Sequence, residues 1–131
     1  MKETYDFPAF TAYCLEDDIL HIELKKVKKL TAKDVEDIFS CHEKIGSGNK
    51  VYVLVTFNGF IPLSDEAMAE AKKQGKRNLQ AGTAYVVHNF ALRMGINFFM
   101  NFYKPKYPMT IVPSKAAALS WLKLQKKGNK K

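Results

Sequence analysis

Residues 50–66, KVYVLVTFNGFIPLSDE, decide the fold. Val51, Val53, Leu54 and Val55 run apolar without alternation, the pattern of a strand buried on both faces. Asn58-Gly59 turns the chain and Pro62 stiffens the loop. Ser64-Asp65-Glu66 then opens a helix, with serine as N-cap and acids in the first turn. A central strand that leads into a helix N-terminus is a frequent ligand or regulatory position in α/β sheets.

Working outward, Phe10–Leu15 and Ile19–Leu24 read as two short strands joined by Glu16-Asp17-Asp18, a loop that forces an antiparallel hairpin. The second strand alternates, so Leu20, Ile22 and Leu24 are expected inward and Ile19, His21 and Glu23 outward, with one face partly wet. Thr31-Ala32-Lys33-Asp34 is a capping box with Asp in place of Glu. Val35, Ile38, Phe39, His42 and Ile45 follow at helical spacing, and Gly46-Ser47-Gly48 ends that helix. The second helix runs from Ser64 to about Lys73. Its inner face is Ala67, Met68 and Ala71, small enough to let it lie close to the sheet. Thr83–His88 is another buried strand. A third helix runs from about Phe90 to Tyr103, ended by Pro105 and Pro108. Met109–Val112 is a short strand, and Ser114 caps a last helix anchored by Leu119, Trp121 and Leu122. The order is β-β-α-β-α-β-α-β-α. Helices between strands demand parallel, right-handed crossovers, so the expectation is a single α/β domain. Its five-stranded sheet is mixed, strand one is antiparallel, and four helices lie mainly on one face.

The 131 residues suit one domain with one core, and 47% hydrophobic content with 12% aromatics excludes disorder. No run approaches the roughly 18 apolar residues of a membrane helix, and MKETYDFPAF lacks the apolar stretch of a signal peptide. Cys14 and Cys41 form no CxxC, so a reduced, cytoplasmic protein is expected. Formal charge is +8, from 21 basic and 13 acidic residues. Lys126, Lys127, Lys130 and Lys131 supply half of it from an expected frayed tail, residues 126–131, after a domain of residues 1–125.

The order of elements resembles the STAS domain, the module of anti-sigma-factor antagonists and sulfate transporter tails, over nearly the whole chain. In that family the third strand leads to a helix opening with an Asp-Ser-Ser-Gly-like motif whose serine is phosphorylated. Here the matching stretch is Thr56-Phe57-Asn58-Gly59-Phe60-Ile61-Pro62-Leu63-Ser64-Asp65-Glu66-Ala67. The phosphorylated serine falls on or near Asp65, and Thr56 stands where the family commonly has aspartate, so the phospho-switch does not carry over. Ala118-Leu119-Ser120-Trp121-Leu122 is similar to the ending of small bacterial STAS-like proteins, which are related in shape to lipid-binding Sec14-type domains. The resemblance implies the fold and an interaction module without catalysis; mechanism does not follow from fold.

Three surfaces carry the candidate functions. The loop and helix start at Asn58, Gly59, Ser64, Asp65 and Glu66 form the candidate regulatory or partner-binding surface. A phosphate on Ser64 would meet free N–H groups but be repelled by the adjacent acids, so an ordinary N-cap is the favoured reading of these residues. The third helix is apolar over about two-thirds of its circumference at about 100° per residue, more than a sheet-covering helix needs. Arg93, Asn97, Asn101 and Lys104 make its only polar stripe. Met94, Phe98 and Phe102 are the residues expected to face away from the sheet, toward a second copy of the chain or an apolar ligand. The α→β end of the sheet gathers Lys72, Lys76, Arg77, Lys104 and Lys106, with Lys44 and Lys50. That is a candidate anion-binding surface, although the helix dipole alone favours cations there. Tyr103 and Tyr107 add rings for stacking on bases.

His21, His42 and His88 are scattered, with no metal-ligand spacing, and no GxSxG, P-loop or GxGxxG occurs. Cys14 and His21 would face each other across the hairpin if its loop is Asp17-Asp18, but two ligands make no site. His42 reads as a satisfied or edge histidine. No metal, cofactor or enzyme activity is expected. The first reading is a cytoplasmic, homodimeric STAS-like interaction domain. The second is a small apolar-ligand or lipid-binding domain using the Phe-rich helix, which a preformed cavity against that helix would favour. Basic-surface binding to nucleic acid or anionic membrane ranks third.

Overall fold

Val51–Phe57 is the central parallel strand, and its first five residues are buried. The structure, a computed structural model, describes residues 4–16, 19–59, 61–62, 64–77, 79–104 and 106–129. The expected hairpin loop at Asp17-Asp18, Pro105 as helix stop, and Lys130-Lys131 lie outside the described residues.

The elements in order are β1 (Thr4–Asp6), β2 (Phe10–Glu16), β3 (Ile19–Leu24), α1 (Ala32–Gly46), β4 (Val51–Phe57), α2 (Asp65–Gly75), β5 (Gln80–Val86), α3 (Phe90–Tyr103), β6 (Met109–Val112) and α4 (Lys115–Asn129). They build one mixed sheet in sequential order, β1 to β6. β1, β2 and β3 pair antiparallel, and β3 through β6 pair parallel. The sheet therefore has six strands rather than five. The extra one is a three-residue edge strand, Thr4–Asp6, too short to leave a periodic signal. β5 also starts earlier than Thr83, at Gln80, and ends at Val86 rather than His88.

Local chemistry fixes the helix ends. Thr31 and Asp34 form the expected reciprocal capping box on α1. Ser64 Oγ accepts from the Ala67 N–H at 3.0 Å and starts α2. Asn89 does the same for α3 through the Leu92 N–H, and Ser114 for α4 through Ala117. α4 continues helical to Asn129, so Lys126 and Lys127 extend a helix and are not a frayed tail.

Two layers of core flank the sheet. On one face Leu20, Ile22, Leu24, Val51, Val53 and Val55 pack with Val35 and Phe39 of α1, Ala67 and Ala71 of α2, and Phe99 and Tyr103 of α3. On the other, Ile19, Tyr52, Leu54, Ala84 and Val86 pack beneath Ala118 and Leu122 of α4. The expectation that Ile19, His21 and Glu23 face a wet surface is thereby corrected. α4 covers that side, Ile19 and His21 are buried, and Glu23 is half-buried. The backbone of α4 comes closer to β4 and β5 than those of α2 and α3 come to any strand. The small residues Ala67 and Ala71 of α2 join the core against the strands, and beside Ala71 there is room.

Candidate functional site

That room is a cavity of about 380 Å³ between the β3–β5 face and helices α1, α2 and α3. Ile22, Leu24, Val53 and Val55 form its floor, with Val35, Ile38 and Phe39 on one wall. Met68, Ala71, Leu92, Ile96 and Phe99 supply the roof. Such a volume falls in the range of small-molecule sites, about 300–1,000 Å³, which are mostly apolar with a few placed polar groups. Its exposed lining residues are Pro62, Asp65, Gly95 and Phe98, so the mouth lies between the start of α2 and the middle of α3. A Cβ on Gly95 would meet nothing within 4 Å, consistent with an opening at that point.

The polar lining is not scattered. α1, α2 and α3 each begin at the end of the sheet where the parallel strands finish. His42, ten residues beyond Ala32, therefore lies about 15 Å down α1 at 1.5 Å per residue. Gln80 and Thr83 open β5 at the same end, and Tyr103 and Tyr107 flank the connection from α3 to β6. The Tyr107 hydroxyl donates to Gln80 Oε1 at 2.6 Å, Gln80 Nε2 donates to Thr83 Oγ1 at 3.0 Å, and the Tyr103 and Tyr107 hydroxyls are 3.1 Å apart. This chain satisfies itself. Burial drives the Tyr103 and Tyr107 hydroxyls upward in pKa, so both stay neutral.

His42 does not share in it. Its side chain is 3% exposed, and neither Nδ1 nor Nε2 has a hydrogen-bond partner. These two are the only buried side-chain polar atoms without one among the described residues. An edge contact with Phe39, centroids 5.0 Å apart, holds the ring. Burial pushes its pKa down to about 3, so the imidazole is neutral. Leaving a buried polar group unmatched costs about 1–3 kcal/mol. The sequence reading of a satisfied or edge histidine is corrected; helical spacing placed the residue on the inner face but could not show what faced it.

The other singled-out residues are dispersed. Asn58 is exposed and Gly59 adopts φ 112°, the left-handed conformation that favours glycine. Ser64 is buried in its capping role, while Asp65 and Glu66 are exposed, and only Asp65 reaches the cavity. Phe90, Met94, Phe98 and Phe102 are 75%, 56%, 65% and 38% exposed, and Phe98 also lines the mouth. Of the basic group, Lys72 sits over the Phe102 ring at 5.0 Å and Arg77 pairs with Glu43 at 2.7 Å. Lys76, Lys104 and Lys106 are exposed.

Cys14 and His21 do not face each other: β2 and β3 pair Tyr13 with His21 and Cys14 with Leu20. His21 instead lies 2.7 Å from the Tyr13 hydroxyl and 2.8 Å from Thr56 Oγ1, on the α4 face. Neither cysteine is in a disulfide, and no group of three or more metal-ligating side chains occurs among the described residues. No helix among them is long and apolar enough to cross a membrane.

Residues 13–126 match the family described as "Domain of unknown function (DUF7793)". Among curated proteins none matches this chain. The fold is similar to the crystal structure of an uncharacterized protein from the DUF3478 family with a SpoIIAA-like fold, from Shewanella loihica PV-4. That likeness has a TM-score of 0.59 at 20% identity and covers 93% of this chain and 95% of the other. The STAS-like architecture inferred from the order of elements is thus the observed one.

Proposed function

The chain belongs to the DUF7793 family, and we propose that it is a non-enzymatic, cytoplasmic domain that takes a small apolar ligand between its sheet and α1–α3. The observation that carries this reading is the cavity itself, about 380 Å³, lined mostly by apolar side chains and open beside Gly95 and Phe98. A filled core leaves few voids larger than a water molecule. A space this size, floored by aliphatic residues, favours an occupant that water cannot replace well. Asp65 is the one charged side chain among the described lining residues, and it stands at the mouth. The interior therefore disfavours an ionised group.

Saturable binding of the neutral fluorescent probe N-phenyl-1-naphthylamine tests the reading. One equivalent should bind the native protein, and Ala71→Leu, which projects into the cavity, should weaken it at least tenfold. Absence of saturable binding would remove the apolar-ligand function.

The exposed apolar stripe of α3 supports a second reading, a STAS-like interaction domain that acts as a homodimer. Phe90, Met94, Phe98 and Phe102 follow one another at four-residue steps, a continuous apolar line on a helix. Sedimentation or light scattering separates this from a monomer.

A further inference from the structure

The ligand-binding reading leaves open what a ligand would offer besides an apolar body. Inside the cavity the answer turns on one side chain. Gln80, Thr83, Tyr103 and Tyr107 are already joined to one another. Among the described residues the two ring nitrogens of His42 are the only buried side-chain polar atoms with nothing to meet them, and the ring lies almost fully buried among the lining residues. A neutral imidazole has one N–H donor and one lone-pair acceptor.

We propose that His42 is the polar anchor of the cavity and hydrogen-bonds a neutral hydroxyl or carbonyl group carried by an otherwise apolar ligand. The proposal rests on the apolar-ligand reading and adds the chemical class of the ligand. A hydroxyl matches either nitrogen, donating to the lone pair or accepting from the N–H; a carbonyl oxygen matches the N–H. An ionised carboxylate or ammonium does not fit, because among the described lining residues no opposite charge lies beside His42. α1 presents Val35, Ile38 and Phe39 to the cavity, α2 presents Met68 and Ala71, and α3 presents Phe99 and Tyr103. Asp65, at the first position of α2, lies at the far end of the cavity, about 15 Å away along the helix axes. The ligand would thus enter past Gly95 with its polar group leading and leave its apolar remainder against the aliphatic floor.

The test compares decane, 1-decanol and decanoate as competitors of N-phenyl-1-naphthylamine, in the native protein and in His42→Leu. Leucine keeps the bulk and removes the unmatched polar atoms, so this variant should fold at least as well. Decanol should bind about 3- to 10-fold more weakly to His42→Leu than to the native protein, the worth of one neutral hydrogen bond. Decane should bind both proteins equally, and decanoate should be the weakest competitor for the native protein. Independently, the His42 ring ¹⁵N shifts should move on adding decanol and stay fixed on adding decane. Equal decanol affinity in both proteins with unmoved His42 shifts would overturn the anchor and leave the apolar site standing. Failure of all three competitors and of the probe would overturn the site and the anchor together.

Discussion

Tyr103 lies directly over Gly75: a Cβ built on the glycine would come within 2.5 Å of the tyrosine's Cε1 and hydroxyl. The contact joins the last residue of α2 to the last residue of α3. It also sets the position of the ring whose hydroxyl closes the polar end of the cavity against Tyr107. Tyr103 is buried, so it cannot swing into solvent. Gly75→Ala should therefore destabilise the fold by about 1–3 kcal/mol through overpacking. Tyr103→Leu should remove most of that penalty in the double variant, and urea midpoints of the two single variants and the double measure it. Additive losses would show that the two residues do not share the contact.

Ser64 acts as a helix cap. Its side chain is buried and its Oγ accepts from the Ala67 N–H. Ser64→Ala should cost about 1 kcal/mol, and Ser64→Asp should retain most of the capping. Thermal denaturation checks both. Stoichiometric phosphate on Ser64 in protein isolated from its own cells would instead restore a phospho-switch at this position.

Acid should weaken the fold well before the carboxylates titrate. An ordinary histidine protonates near pH 6.5, but burial holds His42 at about 3 and His21 at about 4, the latter with Lys115 adding repulsion. Between these values the unfolded chain binds protons that the folded chain refuses. Stability is therefore complete above pH 6.5 and declines as pH falls toward the folded values. For His42 the loss between pH 7 and pH 5 should be about 2 kcal/mol, and His21 adds to it. His42→Leu should flatten the pH dependence of the urea midpoint by that share. Parallel curves for the two proteins would mean that the His42 ring is not kept neutral by burial.

The architecture was legible where local chemistry is strong. The apolar run Val51–Val55, the capping box at Thr31 and Asp34, and Ser64 each specify an element without help from the rest of the chain. The edge strand Thr4–Asp6 was not, because three residues paired only to β2 carry no period. ILHIEL reads as half-wet by alternation, yet the polar member His21 is satisfied by Tyr13 and Thr56 from neighbouring strands and covered by α4. Alternation reports polarity, not exposure. The cavity was invisible for a related reason: periodicity shows which face of a helix is apolar, not whether side chains fill the space beyond it. Ala71 and Gly95, which line it, are small residues, and small residues signal close approach as readily as a void.

The exposed side of α3 decides between a monomer with an open mouth and a closed dimer. Phe90 and Phe102 do not line the cavity, whereas Phe98 does. Lysine at Phe90 or Phe102 therefore probes association without touching the ligand site. At position 102 it would also stand beside Lys72, which now lies over the ring, so repulsion replaces a cation–π contact worth about 0.5–1 kcal/mol at an exposed site. A two-fold interface along this helix predicts that both variants dissociate the native dimer with probe binding retained. Phe98→Lys should impair both association and probe binding, since it bears on the stripe and the mouth together. Light scattering that finds the native protein monomeric at high micromolar concentration would remove the dimer. The apolar stripe would then be the rim of a ligand entrance and no subunit interface.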